Sequence, residues 1–65
     1  MMGMTNSIAK EYINVVDRIR TGNYRNRQTL AWLERERTTL HQQLRELCGG
    51  AVSMAKARKL AARSR

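Results

Sequence analysis

The residues best suited to chemistry in this sequence are arginines crowded into one short stretch. They flank the segment Thr21-Gly22-Asn23-Tyr24 on both sides and are Arg18, Arg20, Arg25 and Arg27. Guanidinium groups suit phosphate oxygens, and an anion at a helix N-terminus is also held by unpaired backbone amides. We therefore predict that Arg20, Arg25 and Arg27, with the Tyr24 ring, bind a nucleic acid or an acidic partner. The alternative is that these arginines are simply solvated at a loop.

A second basic segment lies at the C-terminal end. The whole chain has a formal net charge of +8. Residues 1–48 carry eight basic and five acidic side chains, a net of +3, whereas residues 49–65 carry five basic side chains and no acid. A basic segment without acids can bind phosphates through counterion release. The alternative is that it only keeps the chain soluble, and contact with an anionic membrane surface is a lesser alternative. The residues predicted to bind are Lys56, Arg58, Lys59 and Arg63.

The side chains needed for catalysis do not group together. Glu34 and Glu36 are close in sequence but would point about 200° apart on a helix. His41 has no carboxylate three or four residues away to orient it, and Cys48 is the single cysteine. One Cys and one His cannot make a structural zinc site. We therefore expect no enzyme activity, no metal, no cofactor and no small-molecule substrate.

The apolar spacing predicts an all-α protein that begins with a helix over residues 6–21. One side of this helix is apolar with a period near 3.6 residues. Thr5 or Asn6 can cap its first amides, and Gly22 suits a left-handed residue after its end. Residues 1–5 are predicted to be disordered. The apolar stripe includes Ile8, Tyr12, Val15, Val16 and Ile19.

A second helix is predicted over residues 24–48, ending at Gly49-Gly50. Its apolar residues are spaced 3-4-3-4, as in a coiled-coil seam, with Arg37 at one seam position. The connection to the first helix is so short that the two helices must form an antiparallel hairpin. The seam leucines are Leu30, Leu33, Leu40, Leu44 and Leu47.

A chain of 65 residues buries little apolar surface by itself, and such chains are often stabilised by oligomerisation. The first helix's stripe is too wide for the second helix to cover alone. We therefore predict a homodimer, as a four-helix bundle or a coiled-coil-like assembly, with the apolar residues of both helices named above as its core. A pair of long second helices with the first helices outside is the alternative. Residues 49–65 show no clear apolar face and are predicted to be a frayed helix or disordered tail.

Two further features bear on partners and location. Trp32 lies off the leucine seam, where it either packs on a partner protomer or on the first helix, or contacts another protein. Arg37, within the seam, either reaches an acid such as Glu34 or Glu36 and fixes the register, or marks a place where the seam is open to a protein target. No stretch approaches the roughly 20 apolar residues of a membrane span, and the first residues do not look like a secretory signal. We therefore expect a cytoplasmic protein without a membrane-spanning segment.

In size and helix pattern the chain resembles the small dimeric helical hairpins that regulate plasmid copy number by binding RNA loops, although this chain is more basic and shares no matched functional residue. That resemblance implies a non-enzymatic dimeric regulator that binds nucleic acid. The chain also resembles the short phage and plasmid proteins that bind and disable one host protein. That second resemblance implies an inhibitor or adaptor, whose target is a transcription regulator, a defence complex or another acidic or nucleic-acid-binding protein.

Overall fold

A computed structural model describes the backbone of residues 3–62 and the side chains of residues 5–62. Three α-helices follow one another: α1 spans Gly3–Thr21, α2 spans Arg27–Cys48 and α3 spans Met54–Ala62. No β-strand occurs among the described residues, so the all-α prediction is confirmed. The structure has three helices where the sequence predicted two, because the C-terminal segment also folds.

Helix α1 lies at the centre of the fold and packs against both other helices, which do not pack against each other. The end of α3 lies beside the start of α1, where the Asn6 amide bonds to α3 carbonyls. The start of α3 follows Val52, whose carbonyl is bonded to His41. Since the His41 ring stacks on Tyr12 in the middle of α1, α3 runs antiparallel to α1.

The core of the protein forms within a single chain. Leu33 and Leu44 are completely buried, although the sequence placed them in a seam shared with a second copy. The wide stripe of α1, for which the sequence analysis predicted a second copy as partner, is covered on one side by α3. The buried core residues, from all three helices and the α2–α3 connection, are Ala9, Tyr12, Val15, Leu33, Leu40, Leu44, Val52 and Ala57.

Helix α1 starts earlier than predicted and ends through local chemistry. It starts at Gly3, so residues 3–5 are helical and not disordered; residues 1–2 lie outside the described part. At its end Gly22 adopts a φ of 73°, as predicted. The Asn23 amide donates to the Arg18 carbonyl at 2.9 Å, which satisfies one of the last carbonyls of the helix.

Helix α2 begins at Arg27, later than the predicted residue 24. Asn26 has an extended backbone, and its side-chain oxygen accepts from the Thr29 amide at 2.9 Å. An N-cap asparagine of this kind fixes the first helical residue immediately after it. The helix ends at Cys48 as predicted, with Gly49 at a φ of 73°.

Helix α3 has an apolar face made of small and flexible side chains. The sequence prediction of no clear face was wrong, because Met54, Ala57 and Ala61 follow a three- and four-residue spacing and pack on the core. Ser53 caps the helix by accepting from the Lys56 amide at 3.1 Å. Val52 is buried just before the helix and anchors the connection to α2.

Asn6 caps α3 and not α1, contrary to the sequence prediction. Its Nδ2 donates to the carbonyls of Leu60 and Ala61, each at 2.9 Å. These carbonyls belong to the last turn of α3, where no later amide of the helix can reach them. One side chain of α1 therefore holds the end of α3 in place.

An Asn6→Ala variant is expected to be less stable than an Asn14→Ala variant by roughly 1–2 kcal/mol, since two partly buried hydrogen bonds are lost. Asn14 is exposed on the same helix, so replacing asparagine by alanine raises the helix propensity equally in the two variants. Urea unfolding followed by circular dichroism measures the difference. Equal stabilities would contradict the capping role of Asn6.

Over the described residues, none of the helices combines the length and apolar character that a bilayer-spanning segment requires.

Candidate nucleic-acid interface

The connection between α1 and α2 carries a cationic tip, which we define as Arg18, Arg20, Arg25 and Arg27. Arg20, Arg25 and Arg27 are exposed, whereas Arg18 is half-buried and its Nε donates to the Asn23 carbonyl at 3.3 Å. Arg18 therefore braces the connection. The other three guanidinium groups point into solvent and are available to an anion.

The start of α2 places positive charge against the helix dipole. Arg27 is the first residue of α2, and no acidic residue occurs in its first turn. The predicted helix over residues 24–48 would have put Arg25 in its first turn. In the structure α2 begins at Arg27, so Arg25 lies in the connection before the helix. A cation in the first turn costs a few tenths of a kcal/mol. A bound anion would remove that cost, which makes this end of the molecule a favourable place for phosphate.

Tyr24 contributes less to this surface than predicted. Its side chain is half-buried and packs against the core, and its amide donates to the Gly22 carbonyl at 2.9 Å. The ring therefore anchors the α1–α2 connection to the core, and only part of the ring faces solvent. The exposed arginines, and not the tyrosine, dominate the chemistry of the tip.

Helix α3 carries the second basic surface. Lys56, Arg58 and Lys59 are all exposed, and Lys56 and Lys59 lie three residues apart on the side away from the core. Lys56 occupies the first turn of α3, where no acidic residue balances the dipole. These side chains stand on a docked helix and not on a flexible arm. Arg63, also predicted to bind, lies outside the described residues.

Arg20 of the cationic tip lies on the side of α1 against which α3 packs. Asn6, Ile13 and Arg20 recur at seven-residue intervals, which places them on nearly the same side of the helix. Asn6 is bonded to α3, so Arg20 projects from the side on which α3 lies. The distance from Asn6 to Thr21 along α1 is about 22 Å. A nucleic acid of six or seven nucleotides could therefore reach from the tip to α3.

The residues predicted to contact a protein partner are both exposed. Trp32 exposes 53% of its surface, and Arg37 is also exposed. Of the residues predicted to form a dimer core, Leu47 is 47% exposed. The others are buried, as given above, or half-buried, namely Ile8, Val16, Ile19 and Leu30.

An open groove of about 550 Å³ was not anticipated from the sequence. Its wall includes His41, whose ring stacks on Tyr12 and whose Nε2 donates to the Val52 carbonyl at 3.1 Å. These contacts tie α2 to the connection that leads into α3, so His41 has a structural role. The groove is lined by Thr38, His41, Gln42, Arg45, Glu46, Gly49 and Gly50.

No protein-family model, no curated protein and no solved structure matches this chain. Among residues 5–62, no three side chains of His, Cys, Asp or Glu lie close enough together to hold a metal ion.

Proposed function

We propose that this chain is a small non-enzymatic regulatory protein that binds nucleic acid through the cationic tip and the exposed basic face of α3. The single observation that carries the proposal is the exposure of Arg20, Arg25 and Arg27 around one connection. Arg27 and Lys56 also stand in first helical turns that contain no acid. The proposal includes self-association of the chain. Arg20 projects from the side of α1 on which α3 lies, which supports one contact that reaches from the cationic tip to α3.

Phosphate is the group that this surface fits best. Three exposed guanidinium groups at one end of a chain with a net charge of +8 create a strong positive potential there. Each phosphate neutralised releases condensed counterions, so affinity falls as salt rises, with a slope of about −0.9 per contact on duplex DNA and about −0.7 on single strands. The surface offers no feature that selects one base, so we expect binding that depends weakly on sequence.

Fluorescence anisotropy with labelled duplex DNA, single-stranded DNA and an RNA hairpin, each measured over a salt series, tests the proposal and separates the three targets. Replacing Arg25 and Arg27 together by Gln is expected to weaken binding at every sequence. It is also expected to reduce the salt slope by about 1.8 on duplex DNA and by about 1.4 on single strands. Circular dichroism confirms that the variant remains folded. Absence of binding at low ionic strength to all three probes would exclude the function.

A matched control is available on α2. Arg37 and Arg45 are exposed, and replacing both by Gln removes the same charge. They lie about 15 and 27 Å from Arg27 along the helix, beyond the Debye length of about 8 Å at physiological salt. The control is expected to keep most of the affinity. An equal loss in both variants would show that the tip is not the binding surface.

A second function, inhibition of a host protein, is favoured by one specific observation. Trp32 is a large aromatic side chain with 53% of its surface exposed, and aromatic residues of this kind often dominate protein contacts. Nuclease-treated pull-down with wild type and Trp32→Ala separates this function from the first. Retention of one host protein at 1:1 stoichiometry, lost in the variant, would favour inhibition over nucleic-acid binding.

A further inference from the structure

An outer stripe of α2 remains outside the folded core. We define it as Trp32, Glu36, Gln43 and Leu47, which recur at intervals of four, seven and four residues and so share one side of the helix. Its two ends are large apolar side chains, Trp32 with 53% and Leu47 with 47% of their surface exposed. Neither the core nor the cationic tip uses this surface.

We infer that the outer stripe binds a second copy of the chain, with the two α2 helices antiparallel about a two-fold axis. The intervals of four, seven and four residues read the same in both directions. Antiparallel pairing therefore places Trp32 against Leu47 of the partner subunit, and Glu36 against Gln43 of the partner subunit. The first contact buries apolar surface, and in the second the carboxylate of Glu36 can accept from an amide.

Charges beside the stripe fit the same register. Arg35 and Glu46 are both exposed and lie on the same flank of the stripe. A two-fold axis brings equivalent flanks together, so Arg35 meets Glu46 of the partner subunit on each side of the axis. The offset from perfect alignment is two residues, or about 3 Å, which a long arginine side chain spans. The stripe is thus complementary to itself in both apolar and charged groups.

The charge distribution favours this surface over the others. Residues 27–48 carry four basic and three acidic side chains, a net of +1, whereas the whole chain carries +8. Two copies that met through the cationic tip or through α3 would bring like charges together, which opposes association. Contact through α2 keeps those surfaces apart and leaves them exposed. The inference rests on the self-association included in the proposed function and gives its surface, whereas nucleic-acid binding can hold without it.

The size of the stripe sets the expected affinity. Stable protein interfaces bury about 800 Å² on each partner, and smaller ones are weak or transient. Two half-exposed large side chains on one helix provide less than this. We therefore expect a dimer that forms reversibly as concentration rises from micromolar to millimolar, and this is the range that the experiment must cover.

Trp32 is the single tryptophan of the chain, so its emission reports burial of the stripe directly. With rising concentration, the wild type is expected to sediment as a dimer while its emission shifts to shorter wavelengths. Leu47→Glu is expected to abolish both changes at an unchanged helix content. The matched control is Thr38→Glu, which adds the same charge at an exposed position of α2 on the side away from the stripe, and it should behave as the wild type does.

Charge exchange tests the register. Arg35→Glu alone and Glu46→Arg alone are each expected to weaken the dimer, and the two together are expected to restore it. A wild-type chain that remains a monomer with unchanged emission throughout the range would overturn the inference. The inference would also be overturned if the double variant dimerised no more tightly than either single variant. The flanks of two antiparallel α2 helices would then not be in contact. Burial of Trp32 only on addition of a different protein would assign the stripe to that other partner.

Discussion

An Ala57→Glu variant is expected to be largely unfolded at room temperature. Ala57 has no exposed surface and lies where α3 packs on the core. A chain of 65 residues has a total free energy of unfolding of about 3–10 kcal/mol. Placing a carboxylate in this position without a partner costs several kcal/mol, which is a large part of that total. Circular dichroism during thermal unfolding measures the loss of helix and of cooperativity.

Ala55→Glu is the control, because Ala55 is exposed in the same helix and the variant gains the same charge. An acid in the first turn of α3 is favourable by about 0.3–1 kcal/mol, so this variant is expected to be as stable as the wild type or slightly more stable. Equal unfolding curves for the two variants would contradict the packing of α3 on α1. In that case residues 54–62 would belong to the frayed helix or disordered tail that the sequence analysis predicted for residues 49–65.

The sequence predicted the first two helices well because their signals are local. The apolar period of α1 and the leucine spacing of α2 each lie within one segment, and a glycine with a left-handed backbone ends each helix, at Gly22 and Gly49. The start of α2 was placed too early. Asn26 is the cap that fixes it, and an asparagine just before the apolar spacing begins was the signal that could have been used.

Helix α3 was predicted only as a frayed helix or disordered tail, since its contacts are small and distant in sequence. Alanine gives almost no periodic apolar signal, yet Ala57 is buried and Ala61 packs on the core. Asn6 was read as a cap for its own helix because that use is local. Its actual partners, Leu60 and Ala61, lie more than fifty residues away. No local pattern specifies such a pairing.

The candidate interface was predicted in part. The arginines around the α1–α2 connection could be found from sequence because charge needs no packing to reach solvent, and Arg20, Arg25 and Arg27 are indeed exposed. The different roles of Arg18 and Tyr24 could not be found, since one depends on a bond to the Asn23 carbonyl and the other on packing against the core. The docking of α3 changes the second basic surface from a flexible arm into a fixed one.

A Leu33→Ala variant is expected to lose about 2–5 kcal/mol of stability, because a completely buried leucine is replaced and a cavity remains. Leu30→Ala, at a half-buried position of the same helix, is expected to lose less. A second result is expected because Leu33 belongs to a core formed within one chain. The difference in unfolding free energy between Leu33→Ala and wild type should not change with protein concentration, whereas a seam shared between copies would make that difference depend on concentration. Urea unfolding at several protein concentrations measures both quantities. If the difference in unfolding free energy grows with protein concentration, Leu33 lies in an interface between copies. The leucine seam would then be the dimer contact that its spacing predicted.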